Sequence, residues 1–263
     1  MILNDIIHII ESVAPLQRQE EWDNSGLQVG SRNALIDSVL LTTDVTMEVV
    51  SEARQKGCQL ILSHHPMLYH GLKSICGNTE QERCVIAAIE NHMAIYSAHT
   101  SMDNYLYGVS GRMAEKIGLT DYRILVPQDD DGLYGLGVIG SYESPVDFEQ
   151  LLQRVSRVFG AAALRYIPPV QAQIRTVALC GGAGSEFMEQ AIAQGADLFI
   201  TADFKYHAMQ AAVGRIGIMD MDHWVSEHFT REVFAELLQG KVNTLVAQSD
   251  HTPVHYYSTT NIQ

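Results

Sequence analysis

Leu60-Ile61-Leu62-Ser63-His64-His65-Pro66 is an apolar run without polar alternation that stops abruptly at two adjacent histidines. A run of that kind suits a strand buried on both faces, the pattern of a parallel sheet. Ligands in open α/β sheets bind at the carboxyl ends of strands, so His64 and His65 stand where chemistry is expected. Side chains on extended backbone alternate between faces, which places two neighbouring imidazoles better to serve one ion each than to chelate a single ion. The pair points to a dinuclear site.

Working outward, the spacing of apolar residues predicts a helix over Ile2–Val13, closed by Pro15. A turn of Asp23, Asn24, Ser25 and Gly26 follows, and Leu27 and Val29 begin a strand. Val39–Thr43 reads as a strand, Met47–Lys56 as a helix stopped by Gly57, Glu80–Asn91 as a helix and Ala94–Ala98 as a strand ending at His99. Strand, helix and strand in this order build parallel sheets.

The second half repeats the first. With a shift of 138 residues, Val177-Ala178-Leu179 falls under Val39-Leu40-Leu41, Gly195 under Gly57, and Leu198-Phe199-Ile200-Thr201 under Leu60-Ile61-Leu62-Ser63. Ala202 and Asp203 then stand where His64 and His65 stood. Ile216–Met221 reads as a strand running to His223, and His223-Trp224-Val225-Ser226-Glu227 matches His99-Thr100-Ser101-Met102-Asp103 as His-x3-acid. If a helix begins just after each histidine, residues four apart share a face and each motif is a two-pronged clamp. The candidate donors are therefore His64, His65, His99, Asp103, His223 and Glu227. Four imidazoles and two carboxylates suit two divalent ions of the Zn, Fe, Mn or Co type, roughly 3.5–4 Å apart in two-metal sites.

Between the halves, Asp129–Gly132 reads as a turn, Tyr134–Ile139 as a strand, and Val146–Phe159 as a helix capped by Ser144 and Pro145 and ended by Gly160. After Glu227 the pattern predicts a helix to Leu238, then strands at Asn243–Ala247 and Pro253–Tyr257. The expected fold is two similar α/β domains with mixed, largely parallel sheets. The first comprises residues 1–125 plus about 225–263, and the second residues 126–224.

Composition narrows the function. A formal net charge of −14 with only 17 Lys and Arg in 263 residues argues against nucleic-acid binding, which needs clustered basic side chains. No apolar run approaches the ~20 residues that span a bilayer, and the N-terminal stretch has no basic leader region, so a cytoplasmic protein without membrane attachment is expected. Cys58, Cys76, Cys84 and Cys180 lack CxxC spacing and read as reduced structural thiols.

Taken together, EEWDNSGLQVG at residues 20–30, ILSHHP at 61–66, AHTSMD at 98–103 and the late His-x3-Glu resemble the dinuclear metal-centre family also known as GTP cyclohydrolase 1 type 2, the NGG-interacting-factor-three-like proteins. The resemblance runs from about Asp5 to the end. It implies two α/β domains of similar topology, a two-metal site at their interface and a ring-shaped homohexamer. By motif match the family's metal ligands fall on His64, His65, His99, Asp103, His223 and Glu227. Where the family usually has Gly before the late histidine this chain has Asp222, and the family's ITG[DE] stretch is Ile200-Thr201-Ala202-Asp203. The long central insertion of some members is missing.

Such a site suits metal-assisted hydrolysis, and the family name implies a nucleotide or related small molecule as substrate. Asp23, Asn24 and Asp203 are candidates for contacts to substrate or to the metal ligands. The chain has neither a GxxxxGK[ST] loop nor a basic cluster to cradle three phosphates. The same donors also suit a metal-binding or metal-delivery protein without turnover, or a regulatory ring pinned by its metals.

Overall fold

In the computed structural model residues 1–257 are described, and they fall into two compact units: residues 1–108 with 228–251, and residues 109–227 with 252–257. The first unit thus ends at Gly108, earlier than residue 125, and regains the chain at His228.

The first unit opens with α1 (Leu3–Glu11), whose Leu3, Ile6, Ile7 and Ile10 are buried as the 3.6-residue spacing requires. Next come β1 (Gly26–Val29), β2 (Ser38–Thr42), α2 (Met47–Gln55), β3 (Leu60–Ser63), α3 (Glu80–Glu90), β4 (Ala94–Ser97) and the one-turn α4 (Thr100–Asp103). Thr46 and Thr79 cap α2 and α3, their hydroxyls accepting from the backbone N–H of Val49 and Glu82. All four residues of β3 are buried, as the unalternating run at Leu60 demands. On one face Leu40, Ile61 and Ile95 pack with Val49, Ala53 and Ala88 of the two helices.

The second unit begins with α5 (Val109–Ile117) and β5 (Tyr122–Pro127), neither of which the apolar spacing predicts. Asp129–Gly132 turns directly between β5 and β6 (Gly135–Asp147), so it is a hairpin turn inside this unit rather than the joint between halves. β6 is longer than Tyr134–Ile139. Its ladder resumes after an irregularity between Ser141 and Val146, with Val146 opposite Ile174 and Asp147 opposite Gln173. Helix α6 (Phe148–Phe159) consequently starts two residues late, and its cap is Asp147, whose carboxylate accepts from Glu149 and Gln150, not Ser144 or Pro145. Gly160, in the left-handed region at φ 66°, ends it. There follow β7 (Arg165–Ile167), β8 (Gln173–Ala183), α7 (Met188–Ala193), β9 (Leu198–Ala202), α8 (Tyr206–Ala212), β10 (Gly217–Met221) and α9 (His223–Glu227). The chain then returns to the first unit as α10 (Thr230–Leu238) and β11 (Asn243–Val246). Residues 253–257 carry no strand, in contrast to the expected Pro253–Tyr257.

Each unit is built on one sheet. The first has the order β1-β4-β3-β2-β11, parallel except for the edge strand β1. The second has the order β5-β6-β8-β9-β10-β7, with β8, β9 and β10 parallel and antiparallel strands on both sides. The repeat is visible in the ladders. Val39 pairs with Leu60 in the first sheet, and Val177 pairs with Leu198 in the second, the same register displaced by the 138 residues found in the sequence. The mixed α/β class is as expected. The four cysteines form no disulfide, and burial pushes the Cys84 thiol up to about 12, which keeps it protonated and inert.

Candidate metal centre

The backbone ladder continues past the end of β3. His64 N–H donates to the Thr42 carbonyl at 3.1 Å and His65 N–H to the Thr43 carbonyl at 2.9 Å. The chain bends at these two residues, and the rings do not splay to opposite sides as extended backbone would require. Their centroids are 4.9 Å apart, and each lies 5.2 Å from the ring of His99, which follows β4. One donor atom from each of the three residues falls within 4.8 Å of the others, in surroundings where His64 is fully buried.

Every one of these rings is held through Nδ1. His64 Nδ1 lies 3.2 Å from the Ala98 carbonyl, His65 Nδ1 2.8 Å from Asp44 Oδ1, and His99 Nδ1 2.8 Å from Asp23 Oδ1. Acceptors at Nδ1 fix the tautomer and leave Nε2 as the nitrogen that would ligate a metal. Asp23 is itself anchored: its other oxygen accepts from Ser25 Oγ at 2.8 Å, Thr100 Oγ1 at 2.6 Å and Thr100 N–H at 3.1 Å. Burial alone would raise this carboxyl, but the His99 bond and charge, with Thr100 and Ser25, outweigh it and hold Asp23 well below the usual carboxylate range. Asn24 does something else. Its amide donates to the Leu68 carbonyl at 2.5 Å and ties the loop before β1 to the loop after His65.

Asp103 comes to His64 rather than completing a same-helix clamp with His99. Its Oδ1 lies 3.7 Å from His64 Nε2. The reason lies in where the helices start. His99 precedes α4 as its N-terminal flanking residue, whereas His223 is the first residue of α9. In the ladders Ser97 opposite Ser63 corresponds to Asp220 opposite Thr201, so His99 comes two residues after its reference and His223 three. The two His-x3-acid motifs are therefore offset by one position.

In the second unit that offset produces the expected clamp. His223 Nε2 and Glu227 Oε2 are 3.0 Å apart across one turn of α9. His223 Nδ1 lies 2.6 Å from Asp203 Oδ2, and Asp203 adopts φ 59°, a left-handed conformation uncommon for a residue with a Cβ. Room for Glu227 is made by Gly182, where a Cβ would run into the Glu227 carboxylate, and whose N–H donates to Ser226 Oγ at 2.9 Å. Asp222, in place of the family's glycine, accepts from Val225 N–H at 3.3 Å and from Thr252 Oγ1 at 3.2 Å, so it caps the start of α9. Beside His223 a cavity of about 260 Å³ is lined by Arg165, Asp203, Asp220, Asp222, Met221 and Tyr256, among others. Arg165 there is ion-paired with the buried Asp220.

Imidazole and carboxylate groupings of this composition fit a divalent first-row ion. The residue that sequence reasoning missed is Asp44. Its only signal is its place just past the end of β2, beside the strand that carries His65.

The family model described as Duf34/NIF3 (NGG1p interacting factor 3) matches residues 1–253. The chain belongs to this family. Among its curated relatives, a Clostridium perfringens protein named GTP cyclohydrolase 1 type 2 homolog is 33% identical over 97% of this chain and 100% of its own length. A Clostridium acetobutylicum protein of the same name is 31% identical over 97% and 98%. Among solved structures, a Bacillus cereus protein related to NIF3 superposes with a TM-score of 0.86, covering 97% of this chain and 99% of that one at 23% identity, a likeness of fold. As a member of the Duf34/NIF3 family, the chain carries its His/Asp/Glu groupings at the strand ends where that fold would put a ligand. Among the described residues no helix is long and apolar enough to cross a membrane.

Proposed function

We propose that this protein holds two divalent metal ions and uses them for hydrolysis of a small molecule in the cytoplasm. The observation that carries the reading is the convergence of His64, His65 and His99, each with Nδ1 already engaged and Nε2 left to ligate. His64, His65, His99 and Asp103 would hold metal in the first unit, and His223 and Glu227 in the second. Ions bound there would supply Lewis acidity and an activated water. The chain's own part is to fix donor geometry: Asp23, Asp44 and Asp203 orient three of the four imidazoles.

The relatives' name makes GTP the first substrate to test. The lining of the cavity beside His223 tempers that choice, because it sets Asp203, Asp220 and Asp222 against the single arginine Arg165, a poor cradle for a triphosphate. The same lining favours a second reading, metal storage or delivery without turnover. A homohexameric ring, as the family resemblance implies, is tested by light scattering of the full chain.

Elemental analysis and a broad hydrolase screen on purified wild type and the His64→Ala, His65→Ala double variant test the proposal. Metal-dependent turnover lost with metal in the double variant supports hydrolysis. Two ions without turnover on any substrate class support the second reading, and a metal content unchanged by the double substitution sinks both.

A further inference from the structure

We propose that Asp250 is a positioning residue for His65, acting through the Thr43-Asp44 segment; this rests on the dinuclear reading above. Asp250 lies in the segment after β11, and its side chain is almost entirely buried. Its Oδ2 accepts from the backbone N–H of Thr43 at 2.6 Å, a residue 207 positions away, and its Oδ1 from the N–H of Asp44 at 3.5 Å. Those two residues hold His65 twice. The Thr43 carbonyl accepts from the His65 backbone N–H at 2.9 Å, and the Asp44 carboxylate takes the His65 ring at Nδ1. One carboxylate from the far end of the chain thereby sets both the backbone and the ring of one candidate metal donor.

The surroundings hold that carboxylate in place. Arg231 of α10 donates to Asp250 Oδ2 at 3.1 Å while its Nε donates to the His228 carbonyl at 2.8 Å. The segment carrying Asp250 is itself anchored. Ala247 N–H extends the sheet to the Leu41 carbonyl, and the Glu52 carboxylate accepts from the backbone of Gln248 and Ser249 and from Ser249 Oγ. His64 and His99 take their Nδ1 partners from Ala98 and Asp23, groups that Asp250 does not touch among the hydrogen bonds described. The effect should therefore fall chiefly on the ion that His65 serves, with a smaller one through the Thr42 carbonyl, which shares a peptide unit with the Thr43 N–H and accepts from the His64 backbone. Partners one step removed from a ligand change metal affinity by roughly 10–100-fold, and a group acting through Asp44 belongs at the lower end of that range.

The test uses the full chain, stripped with chelator and titrated with Co(II), which reports each binding step by visible absorption. Wild type, Asp250→Ala, Asp250→Asn and His65→Ala are compared, and the melting temperature of each metal-free variant is recorded. Asp250→Ala should weaken one of two steps about tenfold, alter its absorption band and leave the other step within about twofold. Asp250→Asn, which keeps an acceptor for the Thr43 N–H, should fall between, and His65→Ala should hit the same step harder. Weakening of both steps in proportion to lost melting temperature means a merely structural role and overturns the proposal, as does no change in either. If Asp250→Ala does not fold, the Asn variant decides on the same two outcomes. Wild type that binds no metal, or binding indifferent to His65→Ala, overturns the dinuclear reading and takes the proposal with it.

Discussion

The ends of β3 and β9 occupy the same rung of their ladders, 138 residues apart, and carry opposite chemistry. After Ser63 come two imidazoles; after Thr201 come Ala202 and an aspartate in a left-handed conformation that orients the imidazole of another element. Fully buried apolar strands recur in both units, whereas the residues just past the strand ends are not held to that pattern. The same place on one scaffold thus carries a candidate metal donor in one unit and, in the other, a carboxylate that orients a candidate donor from another element.

The comparison breaks most sharply through the donors. Substituting both His64 and His65 by Ala should lower metal content from close to two ions per chain to below about half an ion, given the coordination numbers of such sites, as elemental analysis after reconstitution would report. A content that stays near two would show that the end of β3 is not the metal-holding end. Removing donor and orienting group separately sharpens the contrast. Glu227→Ala should cost more metal than Asp203→Ala, for which a loss of about 10–100-fold in affinity is expected at the ion His223 serves. Equal losses measured by competition with a chromophoric chelator would erase the distinction between the two ends.

Gly182→Ala comes next in size. The new methyl meets the Glu227 carboxylate at a backbone of φ 59°, so calorimetry should show a loss of roughly 1–3 kcal/mol together with weakened metal binding. Stability without metal change would mean that Glu227 has somewhere else to go. Metal itself should raise the melting temperature, by an amount equivalent to about 2.7 kcal/mol when free ion stands a hundredfold above its dissociation constant. Coincident melts of metal-free and loaded protein would count against binding to the folded state.

The smallest effect lies away from the donors. Burial opposes ionisation of Glu52, yet hydrogen bonds from Lys56, Ser249 and Gln248 outweigh it and bring its carboxyl down from 4.5 to about 2. A carboxyl lowered on folding contributes stability that is complete above its unfolded value and fades as the pH falls from about 4.5 towards about 2. Glu52→Gln should therefore lower the melting temperature at pH 6 and match wild type near pH 2. A constant difference across that range would place the effect in packing rather than charge.

Several elements were legible from local pattern because burial imposes a period on the chain: α1, α2, α3, α10 and the parallel strands follow from apolar spacing and glycine stops, while α7 and α8, short helices with few buried residues, do not. Candidate donors were legible for a related reason, since histidines stand out at the ends of apolar runs. α5 and β7 were not, one because Ser110 and Gly111 blur its helical signal and the other because it is a three-residue edge strand with little to bury. The expected start of α6 failed because Val146 has a ladder partner, Ile174, that only the sheet provides.

By itself the sequence determined the repeat, the register that the two sheets share and the set of imidazoles and carboxylates at their strand ends, because these rest on local period and residue type. Only the tertiary structure decided that His64 and His65 turn the same way, that Asp103 faces His64, that the two His-x3-acid motifs are offset by one residue, and that Asp44 and the distant Asp250 stand behind His65. Each of these depends on a bend or a hydrogen bond between residues far apart in the chain, and pairwise contacts of that range leave no period in a single sequence for local spacing to reveal.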